Sequence, residues 1–296
     1  MKKHLLASIA LLATFGGSAM AADMPVKARP APVCPGCNWN GWYIGANVGG
    51  SIGWDRKQDN VSVLPGGVPF GGVFPGIFNP VASIGDTRSP VGVIGGAQIG
   101  FNWEANHWLF GLEADFNWTS QRDTLISQNF LASTVAAASA TVAFTDEQRL
   151  RWLTTWRARL GWTYDCWLWY VTGGAAWGEV ESNYSLTQVS LNVPGGVNFG
   201  SGSAVAGFTQ RKTGWTVGGG MEASLAALGA PSAWSLKLEY LYVDLGSINN
   251  VVTAPLTGAA VFPTSVTLAS DSKIRDHIIR VGLNYRFGGY GYGARF

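Results

Sequence analysis

The stretch Ile274–Phe287, reading IRDHIIRVGLNYRF, decides the fold. Counting back in twos from its end gives Phe287, Tyr285, Leu283, Val281 and Ile279, and the residues between them are Arg286, Asn284, Gly282 and Arg280. Successive side chains of a strand point to opposite faces, so this is a ribbon with one greasy face and one charged face. A strand of a soluble sandwich has the same look. What separates the two readings is how the pattern recurs and where the tryptophans fall.

Seven earlier stretches repeat the alternation. Trp42, Ile44, Ala46, Val48, Ile52 and Trp54 oppose Tyr43, Gly45, Asn47, Gly49 and Ser51; Val91, Val93, Ala97, Ile99, Phe101 and Trp103 oppose Gly96, Gln98, Asn102 and Glu104. Trp108, Phe110, Leu112, Ala114, Phe116 and Trp118 stand against Leu109, Gly111, Glu113, Asp115 and Asn117. The next ribbon turns Leu150, Trp152, Trp156, Leu160, Trp162 and Tyr164 outward and Arg151, Thr155, Arg157 and Arg159 inward. Trp167, Trp169, Val171, Ala175 and Trp177 follow, with weaker alternation because Leu168 and Tyr170 face the other way. Trp215, Val217, Met221 and Ala223 oppose Thr216, Gly218, Gly220, Glu222 and Ser224, and Trp234, Leu236, Leu238, Tyr240 and Tyr242 are set against Lys237 and Glu239.

Connections between these ribbons alternate strictly in length. Long segments run Asp55–Ser89, Thr119–Gln148, Glu179–Gln210 and Gly246–Lys273; short turns run Glu104–His107, Asp165–Cys166 and Ala226–Ala233. An up-and-down barrel with this asymmetry collects every short turn at one rim and every long loop at the other, the form of outer-membrane barrels. Trp42, Trp103, Trp108, Trp162, Trp167 and Trp234 fall at the short-turn ends, and Trp54, Trp118, Trp152, Trp177 and Trp215 at the long-loop ends. Indole settles at headgroup depth, which accounts for two girdles flanking an apolar band. Tryptophans of a soluble core would cluster mid-strand instead. The fold expected is all-β: an eight-stranded antiparallel up-and-down transmembrane β-barrel with four long external loops.

Eight strands leave an interior that side chains can fill. The inward set places Glu104, Glu113, Asp115, Glu222 and Glu239 against Arg151, Arg157, Arg159, Lys237, Arg280 and Arg286, an expected lumen charge network. Buried charges need partners, so two signs in similar number point to a paired plug in preference to a wide pore. A narrow ion path through rearranged pairs is the functional alternative.

The start of the chain has its own grammar. Lys2 and Lys3, an apolar run Leu5–Phe15 and Ala19-Met20-Ala21 read as a secretory signal peptide over 1–21. A proline-bearing leader with no core of its own covers 22–40, the barrel 41–287 and a tail 288–296. Setting aside Lys2 and Lys3, 18 basic residues face 18 acidic ones. A nucleic-acid partner needs a basic surplus, and none exists. Forty glycines and 14 tryptophans with only 13% charged residues are unlike a soluble globular protein, and no stretch after the leader is apolar enough for a membrane helix. The odd count of three cysteines in an exported chain suggests one disulfide and one spare thiol. Cys34 and Cys37, in Cys34-Pro-Gly-Cys37, form the candidate pair; a redox motif of this spacing belongs at a helix start, and nothing around it is helical.

With the strands placed, NWNGWYIGANVGG at Asn38, GVIGGAQIGFNWE at Gly92, LFGLEADFNW at Leu109, TGWTVGGGMEASL at Thr213 and SLKLEYLYVDLG at Ser235 resemble the small eight-stranded porin-family proteins of the alphaproteobacterial outer membrane, related in shape to opacity-type surface proteins. The resemblance covers nearly all of the mature chain at strand level and fades in the loops. It implies outer-membrane lipid and lipopolysaccharide as surroundings, and insertion by the outer-membrane assembly machinery. That machinery reads a closing-strand signal which Arg280, Gly282, Tyr285 and Phe287 match. The departure is the tail, Gly288–Phe296, beyond the aromatic at which such proteins commonly end.

Neither a cofactor nor a metal site is expected, and an enzyme is disfavoured. After the leader only His107 and His277 are available, with no nucleophile beside them, and the carboxylates are matched by arginines. A structural surface barrel is the leading reading. A narrow solute channel, or an adhesin or ligand-binding protein acting through the loops and their exposed Phe70, Phe74, Phe78, Phe130, Phe144, Phe199, Phe208 and Phe262, are the alternatives.

Overall fold

A computed structural model of the chain describes residues 37–65, 82–132, 139–193, 197–228, 230–255 and 264–287. The signal-peptide reading, most of the leader and the tail lie outside these residues. Period-two alternation resolves into β1 (Gly41–Gly53), β2 (Asp55–Pro65), β3 (Ala82–Arg88), β4 (Val91–Ala105), β5 (Trp108–Thr119), β6 (Arg122–Ala132), β7 (Ser139–Tyr164), β8 (Trp167–Val193), β9 (Val197–Ser224), β10 (Trp234–Pro255) and β11 (Thr264–Arg286).

Eight of these close a ring, in the order β1-β4-β5-β7-β8-β9-β10-β11, with β11 returning to β1. Every ring pairing is antiparallel, and the seam runs in unbroken register from Tyr43↔Arg286 to Gly53↔Asp276. Closure leaves no edge strand in the ring, the condition for crossing lipid with strands. The three short connections gather at one rim, as the length pattern requires. Between β4 and β5, Asn106 (φ 48°) and His107 (φ 72°) are both left-handed, the twist a two-residue hairpin needs. Asp165 (φ 50°) turns β7 into β8, and a 3-10 turn, Leu225–Leu228, leads from β9 toward β10.

The opposite rim departs from the expectation. Segments expected to be loops are largely ladder: β7, β8 and β9 run 26, 27 and 28 residues, where about 10 suffice to cross a bilayer. Pairing carries up to Ser139↔Asn192 between β7 and β8, to Val193↔Val197 between β8 and β9 and to Pro255↔Ser265 between β10 and β11. β2 and β3 add a short ladder to the upper part of β11, and β6 lies along β7. These stretches are rich in Ser, Thr, Asn and Gly and lack the strict outward apolar alternation of the lower strands.

Burial is inverted relative to a soluble protein. Arg157, Lys237 and Arg280 are among the largest fully buried side chains, whereas Leu112, Trp118 and Trp156 are more than three-fifths exposed. The outer face therefore needs lipid. Two close approaches make room inside. A Cβ on Gly174 would collide with the Trp156 carbonyl oxygen and the Cα of Arg157, and one on Gly49 with the backbone of Ile279 and Arg280. Glycine thus lets the strands coil tightly beside Arg157 and Arg280.

Candidate functional site: the lumen and its short-turn cap

Side chains entering from five strands meet at the middle of the barrel. β5 supplies Glu113 and Asp115, β7 Arg157 and Arg159, β9 Glu222, β10 Lys237 and Glu239, and β11 Arg280; all eight are 4% exposed or less. Four cations face four carboxylates. Arg157 donates to Glu239 Oε1 at 2.9 Å, to Asp115 Oδ2 at 2.8 Å and to Glu113. Arg280 donates from Nε to Glu239 Oε2 at 2.7 Å and from Nη2 to Asp115 Oδ2 at 2.9 Å. Lys237 Nζ reaches both Glu113 oxygens at 3.2 Å and Gln98 Oε1 at 2.7 Å.

Neutral groups complete the set. The Tyr43 hydroxyl donates to Glu113 Oε2 and accepts from Arg159 Nη1, each at 2.6 Å, and Tyr170 donates to Glu239 at 2.9 Å. Arg159 lies 3.9 Å above the Tyr170 ring and donates to Glu222 at 3.1 Å, while Asn284 donates to the other Glu222 oxygen at 2.8 Å. Each carboxylate thus has cationic and neutral donors, the arrangement a charge removed from water requires. Parity alone identifies the charged members. Tyr43, Tyr170, Gln98 and Asn284 share the same faces, but nothing in the sequence marks an uncharged residue as a partner of the charges.

Three expected members stand elsewhere. Arg151 is on the outside, its side chain 54% exposed, 3.6 Å from Glu181 and 4.0 Å from Glu179. A bulge between Leu150 and Trp152 inserts it as an unpaired residue, so the strand changes parity there and Leu150, expected outward, is buried. Glu104 and Arg286 point inward but lie below the network, at the short-turn rim.

There they hold Trp39, a leader residue with no exposed surface that shares an apolar cluster with Leu109, Leu168 and Tyr170. Glu104 Oε2 accepts the Trp39 backbone N–H at 3.1 Å, and the Glu104 N–H donates to Asn40 Oδ1 at 2.6 Å. Arg286 stacks 4.2 Å from the Trp39 ring centre and donates to the Asn38 carbonyl at 3.3 Å. A leader without a core of its own thus borrows the barrel's, and its last residues form a cap. The disulfide is a further correction. Cys37 is bonded to Cys166, and Cys34 lies outside the described residues.

Above the charges, toward the long hairpins, the lumen turns apolar. Ile94, Leu153, Ala176, Leu241, Val243 and Ile278 form the lower part of one buried cluster, with Leu150, Val180, Leu245, Ile248 and Ile274 above them. Higher still Phe144, 1% exposed, stacks on Tyr184 at 6.0 Å, and Tyr184 meets Phe208 at 5.7 Å. Of the loop phenylalanines, for which packing over the barrel mouth is the alternative to surface contact, Phe144 and Phe208 are packed, and Phe70, Phe74, Phe78 and Phe262 lie outside the described residues.

On the outer face all 11 girdle tryptophans point away from the lumen. Trp42, Trp103, Trp108, Trp162, Trp167 and Trp234 ring the short-turn rim; Trp54, Trp118 and Trp215 ring the other, with Trp152 and Trp177 half-covered by Phe116 and Trp156. Of the closing-strand set, Arg280 and Gly282 face inward, and Tyr285 and Phe287 face outward, 5.1 Å apart. His277 also faces outward, 2.7 Å from the Tyr240 hydroxyl.

A closed antiparallel ring, girdled by indoles outside and filled inside, defines a β-barrel of the bacterial outer membrane. The chain belongs to the outer membrane protein beta-barrel domain family, whose model matches residues 8–287. It is similar to the 31 kDa outer-membrane immunogenic protein of Brucella melitensis, 32% identical over 97% of this chain and the whole of that one, and to the 25 kDa outer-membrane immunogenic protein of Brucella abortus, 24% identical over 97% of this chain and 99% of that one. Among solved structures it is similar to the outer membrane protein OprG of Pseudomonas aeruginosa, at 11% identity and a TM-score of 0.33, covering 85% of this chain and 99% of that one. The protein is therefore an outer-membrane protein of a Gram-negative bacterium.

Proposed function

We propose that the protein is a structural surface barrel of the outer membrane whose lumen is sealed, and neither an enzyme nor a conducting pore. The observation that carries this is the mutual pairing of eight buried charges across the bore, from Glu113 and Asp115 through Arg157 to Glu239 and Arg280. An ion path needs loosely held charges beside water. Here the carboxylates are multiply bonded, an apolar layer lies above and Trp39 below. Assembly at the seam, through Arg280, Gly282, Tyr285 and Phe287, and lipopolysaccharide around the upper girdle belong to the same reading.

Planar-bilayer recording of the purified, folded protein tests it. No stable unitary openings are expected, and regular openings in the wild-type protein would establish the channel instead. A second reading, recognition at the cell surface, draws on the β6–β7 and β8–β9 hairpins, where β7, β8 and β9 continue far past the length a bilayer needs. Cells carrying a barrel with those hairpins shortened at the upper girdle, compared with wild type for adhesion, decide that point.

A further inference from the structure

Cys166 sits in the turn between β7 and β8, the fourth and fifth members of the ring counted from β1, while Cys37 precedes β1 itself. The disulfide therefore ties the start of the first strand to the far wall of the barrel. From Cys37 to Gly41 an extended chain reaches at most roughly 14 Å. A segment of that length, anchored at both ends on opposite walls, has to run across the opening. Trp39 stands at its centre and contacts β5 and β8 through Leu109, Leu168 and Tyr170, β4 through Glu104 and β11 through Arg286.

We propose that residues 37–40 are a strap drawn across the periplasmic mouth, fastened by thiol–disulfide exchange in the periplasm, and that the bond keeps Trp39 seated. Fastening is a balanced two-electron step. The half-buried Cys37, as thiolate, attacks the disulfide of an exported thiol–disulfide oxidoreductase, and the Cys166 thiolate then resolves the mixed disulfide. The new Sγ–Sγ bond leaves two electrons and two protons on the partner, whose disulfide becomes a dithiol. Cys166 is only 2% exposed once the strap lies in place, so exchange takes place before the strap seats or when it lifts. The pairing also assigns Cys34 as the thiol left over.

The strap is independent of the conductance reading, because it is read without current. Alkylation of the unfolded, unreduced chain followed by mass measurement should find one modified thiol, at Cys34, and three after reduction. Hydrogen exchange of residues 38–40 in the folded barrel is the second measurement. The Trp39 amide, bonded to Glu104, should exchange roughly tenfold faster or more after reduction of already folded protein, and likewise in Cys37→Ser. Cys34→Ser should leave it slow. Unchanged protection on reduction would show that Trp39 holds itself and the bond fastens nothing. A modified Cys37 or Cys166 in the unreduced chain would overturn the pairing. Using reduction after folding removes failure to fold as an explanation.

Discussion

From Asp115 to Lys237 the lumen is filled by charges; one step higher along the same strands, from Leu241 to Ile248, it is filled by aliphatic side chains. The two layers have the same walls and the same lack of solvent, yet they resist change in different ways. In the charged layer each carboxylate serves several partners: Glu113 alone receives Arg157, Arg159, Lys237 and Tyr43. Removing one member strands several others where water cannot reach them. In the apolar layer contacts are many, weak and replaceable. Loss of a side chain there leaves a void, with no unpaired charge.

The largest expected effect follows from that contrast. Arg157→Ala frees Glu239, Asp115 and Glu113 at once, and breaking a buried pair from one side destabilises by about 3–5 kcal/mol. Urea unfolding of protein refolded into vesicles should show a midpoint lowered accordingly, with brief conductance appearing where none is expected of the wild type. A joint Arg157→Met, Glu239→Gln variant should lose less than the sum of its two single changes, since neither partner is left charged alone. Strict additivity would mean that the layer does not act as a unit.

Leu241→Ala comes next, at about 3 kcal/mol, from lost transfer and a cavity among Ile94, Leu153 and Ile278. It should lower the same midpoint without opening a current, because the charges beneath stay paired. Appearance of openings in Leu241→Ala alone would move the seal from the lower layer to the upper one.

How much of the molecule is legible in its sequence divides along the same line. Girdles and ring are readable because lipid imposes a strict period of two on the residues that face it, as from Trp234 to Tyr242. The charged members are readable as the odd faces of those ribbons. The apolar layer is not: Ile94, Leu241 and Ile278 are greasy residues on a face otherwise polar, and alternation gives them no mark. Trp39 and the Cys37–Cys166 bond are also hidden, since a contact across 129 positions of sequence leaves no periodic trace. The upper ladders escape because their Ser, Thr and Asn interrupt the apolar alternation that marks the lower strands.

Arg151 sharpens the comparison from its weak end. It stands six residues before Arg157 on the same strand, and in the sequence both have inward parity. The bulge at Leu150/Trp152 separates them, sending one to the outer face above the Trp152 and Trp177 girdle and the other into the bore. Arg151→Ala removes pairs at 3.6 and 4.0 Å from a side chain more than half in solvent, where such contacts contribute less than about 1 kcal/mol and fade with salt. Its unfolding midpoint should match wild type within error at moderate ionic strength, and its bilayer trace should stay silent. A loss as large as that of Arg157→Ala would mean that β7 keeps its parity through residue 151 in the membrane. Arg151 would then belong to the buried network after all, and the charged layer would extend one level higher, into the space that Leu150 and Leu153 fill.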